Sequence, residues 1–177
     1  SLPTSFHIGS EVSAFIALPF VLCAGAAGDR VMSAQGLQRV AAFYERLAPE
    51  SLDRLGEVYA ADAAFTDPFN DVIGVDAIRR IFEHMFATVH LPVFKVDAIA
   101  SEGRNGFLTW TFSFQTGKAG ARRDWTVKGA THVRFNAHGK VCMHYDYWDP
   151  AQALYEKTPL VGGVFRWLRR RLSSGTQ

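Results

Sequence analysis

The alternation between Phe107 and Thr116 constrains this chain most. Leu108, Trp110, Phe112 and Phe114 fall on one side of an extended segment, and Thr109, Thr111 and Ser113 on the other. Successive side chains of a strand point to opposite faces, so such a segment belongs to a sheet with one face packed and the other wet. Its neighbours follow suit. Val93 to Ala100 predicts a preceding strand, and Ser101 to Gly106 supplies the turn between them. Arg123 to Phe135 and Lys140 to Trp148 predict two more, after the hairpin loop Gly117-Lys-Ala-Gly120 and the turn Asn136-Ala-His-Gly139.

The preceding part has a helical period. Leu37, Val40, Ala41, Tyr44 and Leu47 share one face, and Pro49 stops that helix. Ser51 is placed to cap a second helix, with Leu52, Leu55, Val58 and Tyr59 inward. Ala64 to Asp67 reads as a short strand, because the Pro68 ring clashes with a helical predecessor and keeps Asp67 extended. Asn70-Asp71 and Gly74 make a turn. A third helix follows, with Ile78, Ile81, Phe82, Met85 and Phe86 forming a wide apolar stripe that ends at Pro92. Helices first and an antiparallel meander afterwards predict an α+β fold, three helices packed on one face of the sheet.

At 177 residues the chain suits one domain, and a formal charge of +2 argues against a protein designed wholly around nucleic acid. Cys23 and Cys142 lack a C-x-x-C spacing and are too few for a disulfide framework or a thiolate zinc site. They point to a reducing compartment, the cytoplasm.

The two ends differ from the middle. Residues 1–31 hold an apolar run, Val12 to Gly28, that ends in small residues like a signal peptide but has no preceding Lys or Arg and is broken by Pro19. Met32-Ser33 would suit a start, so this leader reads as an over-extended translation start, an export signal or a docked arm. Residues 32–157 form the domain. In residues 158–177, Val161, Val164, Phe165, Leu168 and Leu172 can share one helical stripe beside Arg166, Arg169, Arg170 and Arg171. Such a basic amphipathic helix would rest on an anionic membrane surface or an acidic partner; the plainer reading packs the stripe on the chain's own domain.

Two runs carry the chemistry: Tyr59-Ala-Ala-Asp-Ala-Ala-Phe-Thr-Asp-Pro-Phe-Asn and His144-Tyr-Asp-Tyr-Trp-Asp-Pro. Each sets an aspartate among aromatic residues, and desolvation by apolar walls would raise its proton affinity toward that of a working base. With the element order and Val133-Arg-Phe-Asn-Ala-His-Gly-Lys-Val, these runs resemble the nuclear transport factor 2-like superfamily, and within it the ketosteroid isomerase and SnoaL-like branch. The likeness covers about Leu37 to Tyr155. It implies a cone in which a curved sheet wraps a helix around a hollow for a small apolar ligand. It also implies Asp67 as general base, Tyr44 as hydrogen-bond donor to an enolate, and Trp148 as a pocket wall. The second oxyanion donor, an aspartate in ketosteroid isomerases, falls on Thr131, so steroid isomerisation does not follow; a lost donor costs about 10²–10³ in rate. An Asp-Arg-Asp epoxide-hydrolase arrangement, known in the wider superfamily, would need an inward arginine, and none can be placed from the sequence.

Other candidates come from the strands. His144, Asp146 and Trp148 share a face, and an inward Asp146 would orient the His144 imidazole. Against a catalytic role, Asp67 opens an Asp-Pro turn, and Tyr44 and Tyr59 lie on core stripes. Trp110, Phe112, Phe114, Phe82, Met85 and Phe86 would serve as core and ligand wall together. His132 and Arg134, with Trp125 and Val127, are expected on an outer face where a homodimer would form. The chain therefore reads as a cofactor-free, metal-free isomerase or cyclase acting on an apolar carbonyl compound. The other reading is a non-catalytic ligand-binding or dimeric interaction module with a membrane- or partner-docking tail.

Overall fold

The structure, a computed structural model, describes residues 29–150. The readings of the leader before residue 29 and of the basic C-terminal helix lie outside the described residues. Helix α1 spans Asp29–Glu45, so it begins ahead of the domain boundary expected at residue 32. Leu37, Val40 and Tyr44 are buried along it. The second helix is not the regular one expected: a 3-10 turn, Pro49–Arg54, continues into one α-turn, α2, Leu55–Val58. Its N-cap is Ala48. Ser51 sits three residues in, where its Oγ donates to the Ala48 carbonyl at 2.8 Å and accepts from the Ala48 amide at 3.0 Å.

Strand β1 runs Tyr59–Thr66, and the short β2, Asp71–Ile73, returns beside it. The expected strand covered only the last part of β1. Alanine-rich Tyr59-Ala-Ala-Asp-Ala-Ala has weak strand propensity, and pairing in the sheet overrides it. Helix α3, Val75–Thr88, follows Gly74, whose φ of +100° suits glycine, with Ile78 and Phe82 buried. Then come β3 (His90–Glu102), β4 (Asn105–Thr116), β5 (Arg123–Phe135) and β6 (Val141–Tyr147).

The six strands form one sheet in the order β2-β1-β6-β5-β4-β3. The β3 to β6 meander is antiparallel as expected, but β1 pairs with β6 in parallel, so the sheet is mixed. That pairing brings the chain's two aspartate-aromatic runs side by side: Phe65 lies opposite His144 and Thr66 opposite Tyr145. Register irregularities interrupt β3 between His90 and Val93 and again between Val96 and Ala98. Such interruptions bend and twist a strand.

The inner face of β4 and β5 matches the alternation read from the sequence: Leu108, Trp110, Phe114, Trp125, Val127, Thr131 and Val133 are all buried. Trp125 and Val127 therefore do not join His132 on the outer face as expected; their odd positions share the inward parity of Thr131. The small Gly129 makes room for one large ring. A Cβ there would lie 2.4 Å from Trp110 Cζ2, so the indole of Trp110 crosses directly over the β5 backbone.

Candidate functional site

The inner face of the sheet, α1 and α3 enclose a cavity of about 430 Å³, within the usual range for small-ligand sites. Phe65, Phe82, Met85, Phe94, Trp110 and Phe112 supply much of its wall. Asp67, Asn70 and His84 are among the polar residues on it, and none of its lining residues is Lys or Arg.

Of the residues singled out from the sequence, Tyr44, Asp67, Phe82, Trp110, Phe112, Thr131, Asp146 and Trp148 line this cavity. Tyr59 and His144 lie directly behind the wall, 0% and 2% exposed. Phe86 does not line it; it borders a separate shallow groove with Leu47 and Pro92. Each residue of a helix turns about 100° from the last, which carries Phe86 away from its lining neighbour Met85. Phe114 and Met85 also line it, as a core that doubles as wall would, whereas Phe65 and Phe94 line the cavity without having been anticipated. Phe114 was legible in the β4 alternation; Phe65 and Phe94 were not, because their elements carry no clear period.

A continuous hydrogen-bonded chain runs through the wall. Trp110 Nε1 donates to Thr131 Oγ1 at 2.8 Å. The single Thr131 hydroxyl hydrogen then goes to Asp146 Oδ1 in a short bond. The same Oδ1 lies 2.9 Å from His144 Nε2. His144 Nδ1 is 2.9 Å from the Tyr59 hydroxyl, which is 2.6 Å from that of Tyr44. The imidazole is held flat by Phe65, stacked on it at 4.5 Å. Asp146 Oδ2 takes no part in these bonds and is the oxygen left for the cavity.

Burial pushes the Tyr44 phenol well above the usual tyrosine range, and the nearby Tyr59, Asp146 and Asp67 add to the rise. Burial also raises Tyr59, against the pull of its hydrogen bond with Tyr44. Both remain O–H groups at neutral pH.

Asp67 has a different setting. Its Oδ1 accepts from the Phe69 amide and the Asn70 amide, both at 2.7 Å, and from Asn70 Nδ2 at 3.1 Å. Its Oδ2 accepts from Asn70 Nδ2 at 2.9 Å. The carboxylate thus faces the cavity and also closes its own Asp-Pro turn. Trp148 stands edge-on to Phe69 at 5.3 Å beside it.

Among the described residues no group of three or more His, Cys, Asp or Glu could hold a metal ion, and no helix is long and apolar enough to cross a membrane. No described cysteine is a free thiol: Cys142 is disulfide-bonded.

A profile of the SnoaL-like domain matches residues 40–144. Solved structures share the fold at low identity. A protein described as a SnoaL-like polyketide cyclase, from Shewanella putrefaciens, is 20% identical, covering 65% of this chain and 90% of that one, with a TM-score of 0.56. An epoxide hydrolase of the LEH-like type from M. tuberculosis is 18% identical, covering 79% and 96%, with a TM-score of 0.55. A protein of ketosteroid isomerase-like fold from Catenulispora acidiphila, in complex with trimethylamine, is 18% identical, covering 69% and 91%, with a TM-score of 0.58. No curated protein matches the chain in sequence.

Proposed function

The chain belongs to the SnoaL-like domain family of the nuclear transport factor 2-like superfamily, and we propose that it is a cofactor-free isomerase or cyclase acting on a small apolar carbonyl compound. One observation carries this reading: Asp146 presents a carboxylate to an apolar cavity with Oδ1 anchored by Thr131 and His144 and Oδ2 free of those bonds. A positioned carboxylate of this kind suits proton abstraction next to a carbonyl. The C–H bond breaks, its proton goes to Asp146 Oδ2, and its electron pair moves onto the carbonyl oxygen as an enolate. The Tyr44 hydroxyl, on the same cavity wall, donates a hydrogen bond to that oxygen. Return of the proton to another carbon gives an isomer. Attack of the enolate carbon on a second carbonyl closes a ring, and the Asp146 proton then neutralises the new alkoxide. Asp67, bonded to donors of its own turn, is the second carboxylate of the site and less free to act as base.

Deuterium exchange tests this without knowledge of the natural substrate. In D2O the protein is expected to catalyse exchange at the α-carbon of 1-tetralone, read by mass spectrometry. Asp146→Asn is expected to lower that rate by about 10²–10⁴-fold. Exchange that survives Asp146→Asn rules the assignment out.

The engagement of Asp67 by its own turn favours a second reading, a carrier that holds an apolar ligand without changing it. In that case the ketone binds and no exchange is catalysed. With either reading goes a homodimer through the outer face of the sheet. There Phe107, 45% exposed, stacks on His132 at 4.6 Å, and Tyr147 is 55% exposed.

A further inference from the structure

We infer that His144 and Tyr59 couple the charge of a buried imidazole to the polarity of the cavity, so that protonation of His144 turns the Tyr44 hydroxyl from a hydrogen-bond acceptor into a donor and selects ligands bearing a carbonyl or enolate oxygen. The inference rests on the cavity reading above and assigns Tyr59 and His144 as positioning residues, since neither lines the cavity.

As a carboxylate Asp146 can only accept, so the His144 Nε2 beside its Oδ1 carries a hydrogen. When the imidazole is neutral, Nδ1 is then an acceptor. The Tyr59 hydroxyl must donate to it, and Tyr44 must donate to Tyr59. Tyr44 then turns only lone pairs toward the cavity. When the imidazole is charged, Nδ1 becomes a donor and every bond reverses: His144 donates to Tyr59, Tyr59 donates to Tyr44, and the Tyr44 hydrogen points to the cavity. A donating Tyr44 beside a neutral His144 would leave the two phenol oxygens 2.6 Å apart with no hydrogen between them. That arrangement is repulsive, so the two end states are cleanly separated.

Few other groups bear on the imidazole. The titratable side chains facing it are Tyr44 from α1, Tyr59 from β1 and Asp146 from its own strand. Phe65 stacks on it from β1, and β5 sets Val133 opposite it in register. Asp67 adds to the rise of the Tyr44 phenol at the cavity end of the network. Water has little access to the middle of the wire, because Tyr59 is 0% and His144 2% exposed.

Linkage makes the effect reciprocal: an acceptor ligand raises the proton affinity of His144 by the factor by which protonation tightens that ligand. The test uses two probes of one shape, 1-tetralone, which only accepts hydrogen bonds, and tetralin, which has no polar atom. The midpoint of the His144 ring titration is followed by NMR with each probe saturating. Calorimetry in buffers of different ionisation enthalpy counts protons taken up on binding. A rise of about tenfold in His144 proton affinity with the ketone and none with the hydrocarbon is expected. Tyr59→Phe should bind both probes and lose the difference. Equal midpoints with both probes overturn the inference, as does a ketone-specific rise that persists in Tyr59→Phe. Tyr44→Phe, which removes the cavity end of the wire, supplies the same control if Tyr59→Phe does not fold. Failure to bind either probe overturns the cavity reading itself. Coupling without catalysed exchange would sink only the enzymatic reading.

Discussion

Thr131 is the residue on which the polar wall turns. It accepts from Trp110 and donates to Asp146, joining two groups on different strands. Removing its hydroxyl strands the indole N–H in a buried site, and an unsatisfied buried donor costs about 1–3 kcal/mol. Thr131→Val is therefore expected to lower stability by that amount in chemical denaturation. It should also impair α-carbon exchange, since Asp146 loses one of the two groups that orient it. The sequence placed a hydrogen-bond donor at this position only through a family likeness, and put it in the role of an oxyanion donor. Its bonding shows a second occupation, the fixing of the base, which no spacing in the chain announces.

At the scale of elements, the β4 and β5 pair carries the cavity wall. Inward side chains follow the period of two along both strands, and Gly129 stands where Trp110 needs the space. Gly129→Ala would drive a methyl group into the indole, and overpacking of this kind costs about 1–3 kcal/mol. The predicted consequence is a lower Tm with loss of the Trp110 to Thr131 bond, visible as a changed indole N–H resonance. The helical elements were legible in unequal measure. α1 and α3 follow long apolar stripes and match their expected faces. The middle helix shrank to a 3-10 turn and one α-turn because only ten residues separate Ala48 from the start of β1. β1 was half missed, since alanine carries no strand signal and its partner, β6, lies far along the chain.

For the molecule as a whole, two buried phenols tie α1 to the sheet. Their folded proton affinities are raised above the unfolded value of 10.0, so above that pH the unfolded chain holds fewer protons than the folded one. The stability they contribute is complete below about pH 10 and is lost as pH rises through the folded values. Thermal melts are expected to fall steeply on the alkaline side. Tyr44 and Tyr59 should show no phenolate absorbance until the protein unfolds. The outer face yields a second whole-molecule prediction. Light scattering should give the mass of a dimer, and Phe107→Asp, which puts charge on the exposed Phe107–His132 stack, should give a monomer. A dimer that persists in this variant places the interface elsewhere.

Local patterning determined the α+β class, the order of α1, α3 and the four strands β3 to β6, the inward faces of β4 and of α3, and the shared face of His144, Asp146 and Trp148, whereas the place of Asp67 on the wall came from the family likeness. Periodicity is a property of neighbouring residues, so it survives in the sequence. Tertiary structure decided the parallel docking of β1 on β6 and the wire from Tyr44 to Trp110. These depend on contacts between residues 15, 21 and 85 positions apart, where no period connects one partner to the other and only the closing of the sheet around α1 and α3 brings them within reach.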